Sequence, residues 1–196
     1  MTTFEDYYRE LQRREGFKDF DLIAIWEKAD VQAVGDDLAQ AVQAGGLKTQ
    51  TIPIRPKSTN QSIGNQVEQF FVERIKDYLK NFDLQLCSGA GYPDKQLSHK
   101  CSGRKFVLEV KATSSWDASD TNRVVLTSSS KKLRTHFTPP INHLLVTICY
   151  SAMAGQYRVT VVRLDFIQPV TDVNIRLEAS VSHRILAAGT HPSREI

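Results

Sequence analysis

Residues 92–114 read YPDKQLSHKCSGRKFVLEVKATS. Two runs of alternating character flank Ser102-Gly103. A period of two marks a strand, because successive side chains leave it on opposite faces. The runs 96–99 and 104–113 are therefore predicted to form a hairpin that turns at Ser102-Gly103. In the second strand Phe106, Leu108 and Val110 share one face, and Val107, Glu109 and Lys111 share the other. The first face is core. The second sets a carboxylate and an ammonium side by side near the strand end. As a surface ion pair they would contribute little to stability.

The hairpin gives that pair a third member, because it returns the chain so that Asp94 lies beside Glu109. Two carboxylates held close repel each other unless a cation sits between them. A hard divalent ion suits the position, since Mg²⁺ favours one or two carboxylates together with water and phosphate oxygens. Such an ion polarises a phosphate and acidifies a bound water. Lys111 adds positive charge beside the attacking water. Asp94, Glu109 and Lys111 together read as a site for phosphodiester hydrolysis.

Upstream, the apolar spacing predicts a helix over 3–15, with Phe4, Tyr7, Tyr8 and Leu11 in one stripe. A second helical pattern spans 20–43, interrupted at Gly35 and ended by Gly45-Gly46. The stretch 47–58 carries Pro53 and Pro56 and reads as an arm or linker. A long helix over 59–81 has Ile63, Val67, Phe70, Phe71, Ile75, Tyr78 and Leu79 on one face. Strands are expected at 84–88, 122–128, 142–152, 156–167 and 173–181, with a short helix over 128–137. The turn at Gly89-Ala90-Gly91 presents Asp94, the unbroken apolar run 142–152 suggests a strand covered on both faces, and the tail after Gly189 reads as mobile.

Helices first and strands after give an α+β chain, with a central mixed sheet flanked by helices. The expected organisation is one unit over 1–196: an N-terminal helical and arm region (1–57), a catalytic core (58–167), and C-terminal strands and tail (168–196). The 196 residues are 41% hydrophobic and 24% charged, with a net charge of +3, which permits a polyanionic partner without demanding one. Cys87, Cys101 and Cys149 form no CxxC, so reduced thiols are expected, and His99 with Cys101 falls short of the four ligands of a structural zinc site. The N-terminus lacks an apolar signal region, and no run nears the roughly 18 apolar residues of a membrane span. A cytoplasmic protein is expected. No GxSxG, HExxH or GxxxxGK[ST] motif occurs, which argues against other hydrolases and against a nucleotide cofactor.

Pro93-Asp94, followed fifteen positions later by Glu109-Val110-Lys111, resembles the PD-(D/E)xK nuclease superfamily, most of all its type II restriction endonucleases. The resemblance covers about 58–165. It implies a restriction-endonuclease-like core with an N-terminal helical extension, and a Mg²⁺-dependent endonuclease whose metal sits on Asp94, Glu109 and the Val110 carbonyl. Lys111 would orient or activate the water, and Glu68, on the preceding helix, would supply a further carboxylate; a solvated helix face explains Glu68 equally well. Mn²⁺ is expected to substitute for Mg²⁺, and Ca²⁺ to support binding alone. The implied partner is palindromic double-stranded DNA bound by a homodimer. Residues 1–57 would serve either as dimer interface or as ordinary core.

Thr113 and Ser114 would then lie near the scissile phosphate, Asn122 and Arg123 would read base edges, and Ser130, Lys131, Lys132 and Arg134 would meet the DNA backbone. Arg55 and Lys57 are further candidates, on composition. The alternatives are a repair or structure-specific nuclease, and a non-catalytic DNA-binding protein that retains the fold.

Overall fold

The strongest helical period in the sequence does become a helix. In the computed structural model of the chain, which describes residues 2–14, 23–87, 93–119, 124–128, 140–153, 155–175 and 179–196, helix α3 spans Asn60–Lys76. Ile63, Val67, Phe71 and Ile75 recur every fourth residue and are all buried. Thr59 caps the N-terminus, its hydroxyl accepting the Ser62 N–H at 3.3 Å. The helix stops short of residue 81. The ammonium of Lys100 takes the Leu79 carbonyl at 2.8 Å and the Lys80 carbonyl at 3.0 Å.

Two other helices precede it, α1 (Phe4–Arg14) and α2 (Lys28–Ala44), after a two-residue strand β1 (Thr2–Thr3). The expected helix from residue 20 is corrected. Residues 23–27 are extended, because tertiary bonds claim their backbone. Ile23 bridges Ile141, the Ala24 N–H donates to the Ile141 carbonyl, and the Asn142 amide donates to the Ala24 and Ile25 carbonyls. Gly35 does not interrupt α2. It is buried, and a Cβ there would meet Arg194 Nη1 at 3.3 Å, so glycine serves close approach.

The central sheet has the order β10-β7-β6-β4-β3-β2 among the described residues. Its strands are β2 (Phe82–Leu86), β3 (Lys95–His99), β4 (Lys105–Thr113), β6 (Asn142–Met153), β7 (Gln156–Ile167) and β10 (Ser193–Glu195). β4 pairs β6 in parallel and β3 antiparallel, so the sheet is mixed. Between β3 and β4 the chain turns at Gly103, whose φ of 69° is left-handed and favours glycine. A smaller sheet runs β1-β8-β9-β5, from β5 (Val124–Ser128), β8 (Asp172–Ile175) and β9 (Ala179–Ser182). The single strand expected over 173–181 is thus two short ones, paired at Asn174–Ser180 and Ile175–Ala179. The alternation of residues 173–181 carries no mark of where one strand ends and the next begins, which is why it missed the split.

Both faces of the central sheet are covered. Phe106, Leu108 and Val110 pack with α2, α3 and Trp26 in one core. Trp26 stacks on Phe106 with centroids 5.3 Å apart and donates its indole N–H to the His143 carbonyl at 2.9 Å. Val107 lies in a second core with Phe4, Tyr7, Tyr8, Leu145 and Ile167. The aromatic residues of α1 and Trp26 are therefore core. His143 sits among them edge-on to Phe4 and Tyr8, and burial pushes its imidazole down to about 3, leaving it neutral.

The tail is ordered, against expectation. Ser193–Glu195 pair with β7, and His191 is buried with its Nε2 3.0 Å from Asp165 Oδ1. Helix α4 (His183–Ala188) precedes this strand. Among the described residues no helix is long and apolar enough to cross a membrane.

One buried carboxylate joins α2 to the turn after α3. Asp37 accepts the backbone N–H groups of Lys80 and Asn81, each at 3.1 Å. We expect Asp37→Ala to cost about 2 kcal/mol, a fall in Tm of roughly 4–8 °C for a chain of this length. Thermal unfolding checks this, and an unchanged Tm would remove Asp37 from the account of this junction.

Candidate active site

The site follows from hairpin register. Lys95 faces Leu108, the last pair between β3 and β4, and so Asp94 falls opposite Glu109. The Asp94 N–H donates to Glu109 Oε2 at 3.2 Å. The Lys111 ammonium lies 2.7 Å from Glu109 Oε1 and 3.7 Å from Asp94 Oδ2. It bridges the two carboxylates.

Beyond Leu108, β4 continues to Thr113 with β6 on one side and, among the described residues, no strand on the other. An amide on this open edge needs another partner. The Ala112 N–H finds it in Glu68 Oε1, at 3.1 Å, from α3. In an extended strand a residue's N–H and C=O point to one side, and the side alternates along the chain. Val110, two residues before Ala112, therefore presents its carbonyl on the same edge, beside Asp94.

Burial raises the charge cost of the group. Glu109 is only 3% exposed. Desolvation pushes its carboxyl up to about 7, against the pull of Lys111 and with the push of Asp94. Glu68 is also raised, first by burial, against the attraction of Lys111 and Lys95. For Lys111 burial works downward, but Glu109, Glu68 and Asp94 together outweigh it, and its ammonium is held above the ordinary lysine value. Three carboxylates and two ammonium groups thus crowd one open strand edge.

These residues fit a hard divalent cation. All the donors are oxygens, and a buried carboxylate raised by desolvation gains most from a cation beside it. Among the described residues no three His, Cys, Asp or Glu side chains could by themselves hold a metal ion. Mg²⁺ does not require that, because it retains several waters. Asp94, Glu109 and the Val110 carbonyl are the groups that would hold it.

Of the expected DNA-contacting residues, Ser114 is exposed, while Thr113 is buried and donates its hydroxyl to the Ser115 carbonyl at 2.8 Å. Asn122, Arg123, Ser130, Lys131, Lys132 and Arg134 lie outside the described residues, as do the Gly89-Ala90-Gly91 turn and most of the expected helix over 128–137. Arg55 and Lys57 are exposed on the segment leading into α3. Two features went unread in the sequence. Lys95 is 8% exposed, in phase with the buried Leu97, and a lysine on the core phase of a strand was the available signal. Asp165, bound by Arg163 through both oxygens and by His191, had no signal in local spacing.

The family model described as Type II restriction enzyme MjaV matches residues 16–184. No curated protein matches the chain. Among solved structures, the restriction endonuclease BglI bound to its DNA recognition sequence is similar with a TM-score of 0.35 and 10% identity, over 85% of each chain.

The raised Glu109 carboxyl yields a pH test. A carboxyl whose folded value lies above its unfolded value favours folding while protonated; for Glu109 that contribution is whole below about pH 4.5 and is lost as pH rises through about 7. A divalent ion binds the ionised form, so its apparent affinity should rise about tenfold per pH unit below pH 7 and level off above it. Calorimetric titration with Ca²⁺ across that range checks the trend. A pH-independent affinity, or the same trend in Glu109→Gln, would refute the assignment.

Proposed function

The chain belongs to the MjaV family of type II restriction enzymes, and from that membership we propose that it hydrolyses both strands of a specific duplex DNA sequence at the open edge of β4, using Mg²⁺. The observation that carries the reading is the convergence of Asp94 and Glu109 on one ammonium, that of Lys111, with Glu68 on the adjoining backbone. A mere surface pair would not bury Glu109 or raise its carboxyl.

Each residue has a part. Asp94, Glu109 and the Val110 carbonyl would hold the ion, which when bound would supply Lewis acidity and an acidified water. Lys111, whose charged form the surrounding carboxylates favour, would orient the attacking water and set positive charge beside the phosphate. Glu68 holds the Ala112 N–H, and with it the strand edge, at a fixed distance from the helix. Burial around Glu109 limits competing water and strengthens the field at the reacting group. Mn²⁺ substitutes for Mg²⁺, and Ca²⁺ supports binding without turnover.

The same reading takes the enzyme as a cytoplasmic homodimer on a palindromic site, each subunit cutting one strand. Membership in a restriction-enzyme family favours it over a repair nuclease or a non-catalytic binding protein.

Incubation of the protein with phage DNA should give discrete fragments with Mg²⁺ and none with EDTA. Asp94→Ala, Glu109→Ala and Lys111→Ala should each lower cleavage by on the order of 10²–10³-fold or more while far-UV circular dichroism stays unchanged. A smear would replace sequence-specific cutting with general degradation, and a fully active Lys111→Ala enzyme would sink the site.

A further inference from the structure

Lys95 is the first residue of β3 and follows Asp94 directly. Its side chain leaves the sheet on the Leu108 face, toward α3, because it pairs with Leu108. Glu109 and Lys111 leave on the opposite face. The residue is 8% exposed, its stem buried and its ammonium reaching solvent, and among the described residues that ammonium has no hydrogen bond or ion pair. Glu68 lies near enough to feel its charge but is not in contact with it. The Glu68 carboxylate itself makes one direct bond, to the Ala112 N–H.

A lysine whose stem is packed and whose head reaches water has that head fixed in place by the stem. The head of Lys95 belongs to the residue next to Asp94, at the strand edge where Asp94, Glu109 and Lys111 gather. An ammonium so placed can exchange its water for a phosphate oxygen when one arrives there.

We propose that Lys95 contacts a non-bridging phosphate oxygen of the bound DNA, so that the strand edge grips the phosphate from both faces of the sheet, with Lys111 on one side and Lys95 on the other. The inference rests on the nuclease reading above. In it Lys95 is a substrate-contacting cation that complements the metal and Lys111, and Glu68 is its resting counter-charge in the free enzyme. The alternative is a purely internal counter-ion for Glu68, which would leave DNA binding indifferent to its charge.

The test uses the full chain and a phage DNA fragment that the wild-type enzyme cuts. Binding is measured in Ca²⁺ over a range of salt, and single-turnover cleavage in Mg²⁺. A lost phosphate contact should reduce the slope of log affinity against log salt by about 0.9 in Lys95→Met. Its cleavage rate should fall on the order of 10²-fold. Lys95→Arg should keep the wild-type slope. If Lys95→Met melts below the assay temperature, Lys95→Gln takes its place. A neutral variant with wild-type slope and wild-type rate would overturn the inference and leave Lys95 as an internal counter-ion. A wild-type protein that cuts no DNA would instead overturn the nuclease reading itself.

Discussion

The β3–β4 ladder ends at Lys95–Leu108, while β4 runs on to Thr113. That early stop is the constraint on which the site depends. Inside a sheet, every amide and carbonyl of a strand is consumed by its neighbours. Here, among the described residues, no strand pairs β4 beyond Leu108 on the β3 side, and backbone groups are left for other partners. Exposed strand edges are ordinarily a hazard, since they invite pairing with other chains. This edge is occupied instead by a carboxylate from α3, through the bond from the Ala112 N–H to Glu68. The same stop sets Asp94 just beyond the last ladder pair, opposite Glu109.

The charges gathered there work against stability in the free protein. Glu109 is nearly as buried as the apolar residues on either side of it, and its carboxyl is raised to about 7 as a result. Burial works against the charge of Lys111, and Glu109, Glu68 and Asp94 together hold its ammonium above the ordinary lysine value. Perturbed groups of this sort gather at functional sites, where binding a cation or an anion relieves what folding alone cannot. The cost is met elsewhere, by two apolar cores on the two faces of the sheet.

Those cores also explain the termini. Residues 23–27 give up helix to lie against the N-terminal end of β6, and Trp26 fills the space between Phe106 and Phe166. The C-terminal strand β10 closes the other edge of the sheet. A polar seam fastens it: Arg163 binds Asp165, His191 binds the same carboxylate, and the guanidinium lies 4.7 Å over the Trp116 ring. This seam lies on the same sheet face as Glu109 and Lys111, two strands away, since Lys111 pairs with Thr147 and Thr147 with Arg163. It stiffens the platform behind the site.

The sequence by itself determined whatever rests on local periodicity and turn chemistry. The hairpin from Lys95 to Thr113 was legible because alternation and a left-handed glycine specify it, and it carried the pairing of Asp94 with Glu109. The body of α3 and the long apolar strand β6 were legible for the same reason. Only the tertiary structure decided which faces those elements bury. Alternation told Val107 and Glu109 from Leu108, but it could not show that a second core would cover the Val107 face. Helical spacing left Glu68 between solvent and site, and the packing of α3 across the open edge of β4 put its carboxylate on Ala112. The extended run at 23–27, the division of 173–181 and the docking of the tail are all set by partners more than a hundred residues away or by a neighbouring strand's edge. Side-chain period is a property of one segment, whereas burial belongs to whatever folds against it.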